Sequence, residues 1–151
     1  MAKENEETLT HKYPSLTIYS DGASRGNPGR AGAGILIVDG TGKKILESAQ
    51  YLGHKTNNEA EYLALLFGLR SAKKLGGNSI RIFTDSELIE RQVKGIYRVK
   101  DSKLKALHKK VIQNLESFSS FEISSIPRER NQEADRLANL AIQTRIAKEK
   151  E

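Results

Sequence analysis

Four acidic residues, Asp21, Glu61, Asp85 and Asp135, stand where an unpaired charge is poorly solvated. Asp21 closes the alternating run "SLTIYSD" and Asp85 closes "SIRIFTD". Glu61 and Asp135 lie among alanines and leucines in "TNNEAEYLALL" and "NQEADRLAN". Carboxylates gathered at one place repel and raise one another's pKa until a cation neutralises them. An all-oxygen donor set suits Mg²⁺ or Mn²⁺. Taken singly, each has a structural reading: Asp21 as a turn cap, Asp85 as the N-cap of the helix that follows, Asp135 as a partner of a helix dipole. Taken together, they point to a site for hard divalent cations.

Other chemistries lack their residues. The chain has no cysteine, so disulfides and thiolate metal sites are excluded, and a reducing, cytoplasmic setting is expected. Its three histidines, His11, His54 and His108, have no H-E-x-x-H spacing, which argues against a zinc hydrolase. Neither a G-x-S-x-G elbow nor a Walker A loop is present.

With 151 residues, 37% hydrophobic and 29% charged, the chain suits one globular domain. No apolar run approaches the roughly 18 residues of a membrane span. The polar start "MAKENEETLTHKY" lacks an apolar signal core and reads as a flexible leader over residues 1–13. A net charge of +6 fits a polyanionic partner as well as it fits a solvated surface. Lys94, Arg98, Lys100, Lys103, Lys105, Lys109 and Lys110 share one stretch with His108.

The elements that must position the carboxylates follow from periodicity. Ser15 to Asp21 alternates as a strand, "GASRGNPGRAGAG" reads as a glycine-rich turn, and Ile35 to Val38 is a second strand. "DGTG" signals a hairpin into a third strand, "KKILESAQYL". A helix runs from about Thr56 to Leu75 and stops at Gly76-Gly77. Ser79 to Asp85 is a strand, "SELIERQVKG" a short helix, Ser102 to Phe118 an amphipathic helix, and "FEISSI" a last strand closed by Pro127. The final helix spans Asn131 to about Ile146, before a charged tail at 147–151. The expected domain is thus 14–146. Three strands joined by short turns, then strands alternating with helices, predict an α/β mixed sheet, antiparallel first and parallel later. Asp21 and Asp85 fall at carboxyl ends of strands, where such sheets bind ligands.

The two glutamates of "TNNEAEYLALL" separate by their helical neighbours. Thr56 and Glu59 have capping-box spacing, as do Asn58 and Glu61. Glu61, however, shares a face with Ala64, Leu65, Gly68 and Leu69, while Glu59 shares one with Arg70 and Lys73. Glu59 is therefore expected to cap, and Glu61 to enter the protein where a metal meets it.

"SDGASRGNPG", "TNNEAEY", "FTDSEL" and "RERNQEADRLAN" resemble, in order, the sequence blocks of ribonuclease H of type 1, over about Ser15 to Ile142. The resemblance implies an RNase H-like fold, a five-stranded mixed sheet with its first three strands antiparallel, flanked by helices. It also implies Mg²⁺-dependent endonucleolytic cleavage of the RNA strand of RNA–DNA hybrids. The catalytic, metal-binding carboxylates of the family fall on Asp21, Glu61, Asp85 and Asp135. The family's substrate contacts fall on Gly22, Ser24, Asn27, Thr56, Asn57, Asn58 and Ser86.

Hydrolysis needs a nucleophilic water, neutralisation of charge at the phosphate and stabilisation of the leaving 3′-oxygen, which two divalent ions provide together. Asp21 is expected to serve both ions, Glu61 and Asp85 the first, Asp135 the second. The asparagines suit 2′-hydroxyls in a wide minor groove, although "GNPG" is also turn chemistry and Thr56 also a cap. Expected partners are RNA–DNA hybrid and double-stranded RNA, with the chain a monomer and no membrane involved. A rival reading is a non-catalytic hybrid- or double-stranded-RNA-binding module of the same fold; a polyanion binder, however, gains nothing from buried carboxylates.

Three departures from the family pattern stand out. The loop before the last helix, "PRERN", lacks the histidine of familiar bacterial members, so either Arg128, Glu129 or Arg130 takes its place or the step it serves differs. Glu87 stands where a glutamine contact is common, and with no tryptophan the shorter "KGIYRVKDSKLK" replaces a long basic handle.

Overall fold

Alternating and apolar runs pair into one sheet, and the helices bury their small-residue faces against it. The structure, a computed structural model, describes residues 12–151. Its elements are β1 (Tyr13–Gly26), β2 (Gly29–Asp39), β3 (Lys44–Lys55), α1 (Asn57–Leu75), β4 (Gly77–Thr84), α2 (Glu87–Val93), α3 (Ser102–Leu115), β5 (Ser120–Ser125) and α4 (Gln132–Glu149). A short 3₁₀ turn, Arg128–Arg130, precedes α4. The leader expected over residues 1–13 lies outside the described residues apart from Lys12 and Tyr13, and Tyr13 already belongs to β1.

The five strands lie in the order β3-β2-β1-β4-β5. β1 to β3 pair antiparallel, and β4 and β5 join parallel. This is the expected α/β mixed sheet. The helix α1 packs on β1 and β2, α3 packs on α1, and α4 packs on β1, β2 and β3. Leu16, Ile18, Ile35, Leu65, Leu69 and Ile82 form the centre of the core on the α1 side. No helix among the described residues is long and apolar enough to cross a membrane.

The glycine-rich segment corrects the sequence reading. It is not an extended turn: β1 and β2 stay paired through it, with Gly22 opposite Ala33 and Ser24 opposite Ala31. The turn shrinks to Asn27 and Pro28, entered from Gly26 at φ +112°. The small residues serve close approach of helices. A Cβ at Gly22 would lie 2.2 Å from the backbone of Ala60 on α1, and one at Gly34 would lie 1.9 Å from the Ala134 carbonyl oxygen on α4. Gly22 lets α1, which carries Glu61, sit down on β1 beside Asp21, and Gly34 lets α4, which carries Asp135, sit down on β2 opposite Asp21.

Helix ends follow local chemistry. Thr56 and Glu59 form the expected capping box of α1, and Gly76 closes the helix in the left-handed region. α4 continues past the expected stop into the charged tail, where Glu149 pairs with Arg145 one turn back and with Arg30 on β2.

Candidate active site

The β1–β4 ladder ends at the Tyr19–Phe83 pair. Past it the two strands separate, and Asp21 and Asp85 stand at the mouth of the gap. Asp85 does not cap α2: Ser86 does, its hydroxyl accepting from the Ile89 N–H at 3.2 Å. The Asp85 carboxylate is thereby left to the cleft. Glu61 arrives from α1, and its Oε1 accepts a hydrogen bond from the Gly22 N–H. Glu59 instead turns back to the Thr56 N–H at 3.0 Å. Capping is thus assigned to Glu59 alone.

Asp21, Glu61 and Asp85 each offer an oxygen within 4.8 Å of the others. Asp21 is only 5% exposed. Burial, reinforced by Glu61 and Asp85, pushes its carboxyl far above the usual carboxylate range. Burial also pushes Glu61 up, against the opposing Gly22 hydrogen bond. A site of hard oxygen donors that resists ionisation unless positive charge is supplied fits a divalent cation.

Asp135 stands apart from this trio. It lies in the first turn of α4, on the same cleft. Its Oδ1 is 3.6 Å from an Arg128 guanidinium nitrogen and 3.3 Å from Asn139 Nδ2. It also adds to the upward shift of the Asp21 carboxyl. The structure therefore brings the four expected carboxylates to one cleft of about 510 Å³ but packs only three of them tightly.

Of the expected substrate contacts, Gly22, Ser24, Asn57, Asn58 and Ser86 line that cleft. Asn27 and Thr56 open on an adjoining hollow, together with Asn58 and Lys103. Several have structural partners as well. Ser24 Oγ donates to the Lys55 carbonyl at 2.8 Å, and Asn27 Oδ1 accepts from the Asn57 N–H at 3.1 Å. Thr56 Oγ1 accepts from the Glu59 N–H at 3.1 Å. The first turns of α1 and α4 both open into the cleft, adding their positive dipole ends to it.

Among the three residues of the loop, Arg128 alone lines the cleft, whereas Glu129 and Arg130 face a separate hollow beside Tyr19 and Leu36. Glu87 is engaged by Arg91 at 3.3 Å, and Arg91 also meets the Tyr97 hydroxyl at 3.1 Å. Within the basic stretch Lys94 is taken up by Glu90, and Lys103 is the member that reaches the hollow beside the cleft. Sequence reasoning missed Arg25 and Asn139, which also line the cleft. Asn139 was findable as the residue one helical turn beyond Asp135.

Known proteins of similar sequence and fold give the chain its family. The Reverse transcriptase-like family matches residues 19–141. Ribonuclease HI of Halobacterium salinarum is 40% identical over 124 residues, covering 82% of this chain and 62% of the relative. A bifunctional protein of Mycobacterium tuberculosis is 40% identical over 128 residues, covering 84% of this chain and 35% of the relative. The chain thus spans less than two thirds of these relatives' lengths. The crystal structure of the Halobacterium salinarum RNase H1 superposes with a TM-score of 0.85 at 38% identity, covering 86% of this chain and 98% of that one. LC11 RNase H1, solved in complex with an RNA/DNA hybrid, superposes with a TM-score of 0.83 at 39% identity, covering 87% and 99%. By fold and by sequence over most of its length, the chain belongs to the ribonuclease HI family.

Proposed function

We propose that the chain is an endoribonuclease that hydrolyses the RNA strand of RNA–DNA hybrids. The observation that carries this reading is the packed trio of Asp21, Glu61 and Asp85 in a cleft also lined by hydrogen-bonding serine and asparagine side chains and by Arg25 and Arg128. The trio, with Asp21 buried and Glu61 and Asp85 half-buried, also weighs against a binding module, because uncompensated carboxylates repel a polyanion and lower stability.

Mg²⁺, or Mn²⁺ in its place, fits the donor set. Asp21, Glu61 and Asp85 would hold one ion, and Asp21 with Asp135 a second. When bound, such ions supply charge neutralisation, nucleophile activation and leaving-group stabilisation for phosphodiester hydrolysis. The chain's own residues set the geometry. The Gly22 N–H fixes the Glu61 carboxylate, and Ser86 caps α2 so that Asp85 stays free of that task. Asn57 and Asn58 present side-chain amides that can both donate to and accept from a ribose 2′-hydroxyl. The Arg128 guanidinium sits beside Asp135, which supports it as the loop residue that would take over from the family's histidine. Lys103 extends the basic surface towards a phosphate backbone.

One assay tests the reading. The purified chain is given matched hybrid, RNA duplex and DNA duplex, with Mg²⁺ or with EDTA. Cleavage of the hybrid's RNA strand with Mg²⁺ alone is expected, and Asp21→Asn or Asp85→Asn should abolish it while hybrid binding survives. A hybrid with 2′-O-methylated ribose should resist cutting. Hybrid binding without Mg²⁺-dependent cleavage would leave the binding-module reading standing instead.

A further inference from the structure

The inference concerns Asn131, and it rests on the proposed nuclease reading for its activity arm. Asn131 occupies the N-cap position of α4, where an asparagine side chain ordinarily accepts from the helix's own N–H groups. Here it makes no such bond. Its side chain is 1% exposed, and its Nδ2 donates to the Ser20 carbonyl oxygen at 3.0 Å, across 111 residues of sequence. Ser20 is the residue after the last β1–β4 pair and the residue before Asp21. The amide of Asn131 therefore supplies the next rung to β1 where β4 no longer does.

The same residue also holds the other side of the cleft. Its backbone carbonyl accepts from the Asp135 N–H at 3.1 Å, in the first turn of α4. Its backbone N–H donates to the Arg128 carbonyl at 2.9 Å, closing the 3₁₀ turn that carries Arg128. Asn131 is thus bonded on one side to the residue before Asp21 and on the other to Asp135 and Arg128. Its Oδ1, meanwhile, is buried with no hydrogen-bond partner among the described residues. A buried amide satisfied on one side only is a poor device for stability, since the unpaired acceptor carries a desolvation penalty. A residue kept at that penalty calls for another explanation.

We propose that Asn131 is a positioning residue: it sets the separation of Asp135 and Arg128 from Asp21, and through it the affinity of the cleft for a divalent cation. It touches neither the carboxylates' ligand oxygens nor the substrate cleft. Without its amide the entry to α4 loses its hydrogen bond to the β1 backbone, and the packing that remains is non-directional. Asp135, which already stands outside the packed trio, is the carboxylate that then drifts.

The test uses Asn131→Asp, which keeps the shape and replaces the donor by an acceptor facing the Ser20 carbonyl. Val111→Ala, in the core far from the cleft, serves as a control destabilised by packing alone. Three quantities are read well below both melting temperatures: cleavage rate, hybrid KM, and Mn²⁺ affinity by calorimetry on the nucleic-acid-free protein. For Asn131→Asp, the rate should fall by at least about twentyfold with KM within about twofold. Its Mn²⁺ dissociation constant should rise by at least about fivefold. Val111→Ala should leave all three within about twofold. If the wild-type chain does not cleave hybrid, the nuclease reading fails, and the Mn²⁺ arm still decides the positioning role. Wild-type Mn²⁺ affinity in Asn131→Asp, or an equal loss in Val111→Ala, overturns the proposal. Should Asn131→Asp show no cooperative melting, Asn131→Ala is measured against the same thresholds. If both fail to fold, the proposal is overturned too, because the residue then determines the fold and not the spacing of the site.

Discussion

The Gly22 N–H on β1 donates a hydrogen bond to Oε1 of Glu61 on α1, across 39 residues of sequence. The bond exists because Gly22 has no side chain. A Cβ there would lie 2.2 to 2.4 Å from the backbone of Ala60 and Glu61. One position therefore sets both how near α1 comes to the sheet and where its carboxylate rests. Gly22→Ala should push α1 outward and cost about 1–3 kcal/mol, as overpacking does. Cleavage should fall with it, by at least about tenfold. Thermal melting and initial rates on the same preparation check this. Wild-type values for both would mean α1 yields without moving Glu61.

Glu59 and Glu61 lie two residues apart on α1, accept from different backbone N–H groups and have separate tasks. Glu59→Gln removes part of a capping box and should cost about 1 kcal/mol or less, with the rate nearly intact. Glu61→Gln should lower the rate at least about a hundredfold, or about 2.7 kcal/mol in the barrier. It should also raise the melting temperature of the metal-free protein by relieving repulsion within the trio. Side-by-side rates and melting curves decide, and an inactive Glu59→Gln would refute the division of labour.

The pH dependence of stability has a definite sign. The folded-state pKa of Asp21 is raised from 3.8, so the native chain keeps a proton that the unfolded chain releases. That stabilisation is complete below about pH 4 and is lost as pH rises through the raised value. Between about pH 7 and pH 9, where ordinary carboxylates are already ionised, the melting temperature in EDTA should therefore fall. Asp21→Asn should flatten the slope, and saturating Mg²⁺ should raise the melting temperature more at the alkaline end. Melting temperatures in EDTA that rise over this interval would contradict the burial of a protonated Asp21.

Arg128 is the cation of the "PRERN" loop that reaches the cleft, and its neighbours face elsewhere. Arg128→Ala should reduce turnover by about tenfold, while Glu129→Ala and Arg130→Ala stay within about twofold. Steady-state kinetics on hybrid check the ranking, and equal effects at Arg128 and Arg130 would show that net charge alone matters.

Binding of hybrid should weaken as salt rises, since cationic contacts release counterions. Lys103 adjoins the hollow formed with Asn27 and Thr56, so Lys103→Gln should reduce the slope of log K against log salt by about 0.9, one phosphate contact. Lys105→Gln and Lys109→Gln should change it less. A slope unchanged by Lys103→Gln would return the whole basic stretch to a solvated face.

The sequence by itself determined the features that short-range chemistry controls. Alternation in "SLTIYSD" and "SIRIFTD" marked β1 and β4, the T-x-x-E spacing marked the start of α1, and the mixed face that Glu59 shares with Arg70 and Lys73 assigned it to the cap. Apolar neighbours at helical spacing singled out Glu61. Such signals survive because a cap, a period of two and a period of 3.6 are all set within a turn or a few residues. Tertiary structure decided what depends on how closely distant segments approach. Gly22, Gly32 and Gly34 read locally as part of a turn, yet they are strand positions kept bare for the backbones of α1 and α4. Asp85 read locally as a cap, but Ser86 takes that bond. Asp135 matched its block as well as the others did, yet it stands outside the packed trio, held by Arg128 and Asn139. Asn131 had the identity and place of a cap, and only the end of the β1–β4 ladder at Tyr19 left the Ser20 carbonyl free to draw its side chain inward. A side chain that can satisfy either of two partners reveals nothing locally about which it takes; the packing of the elements around it makes that choice.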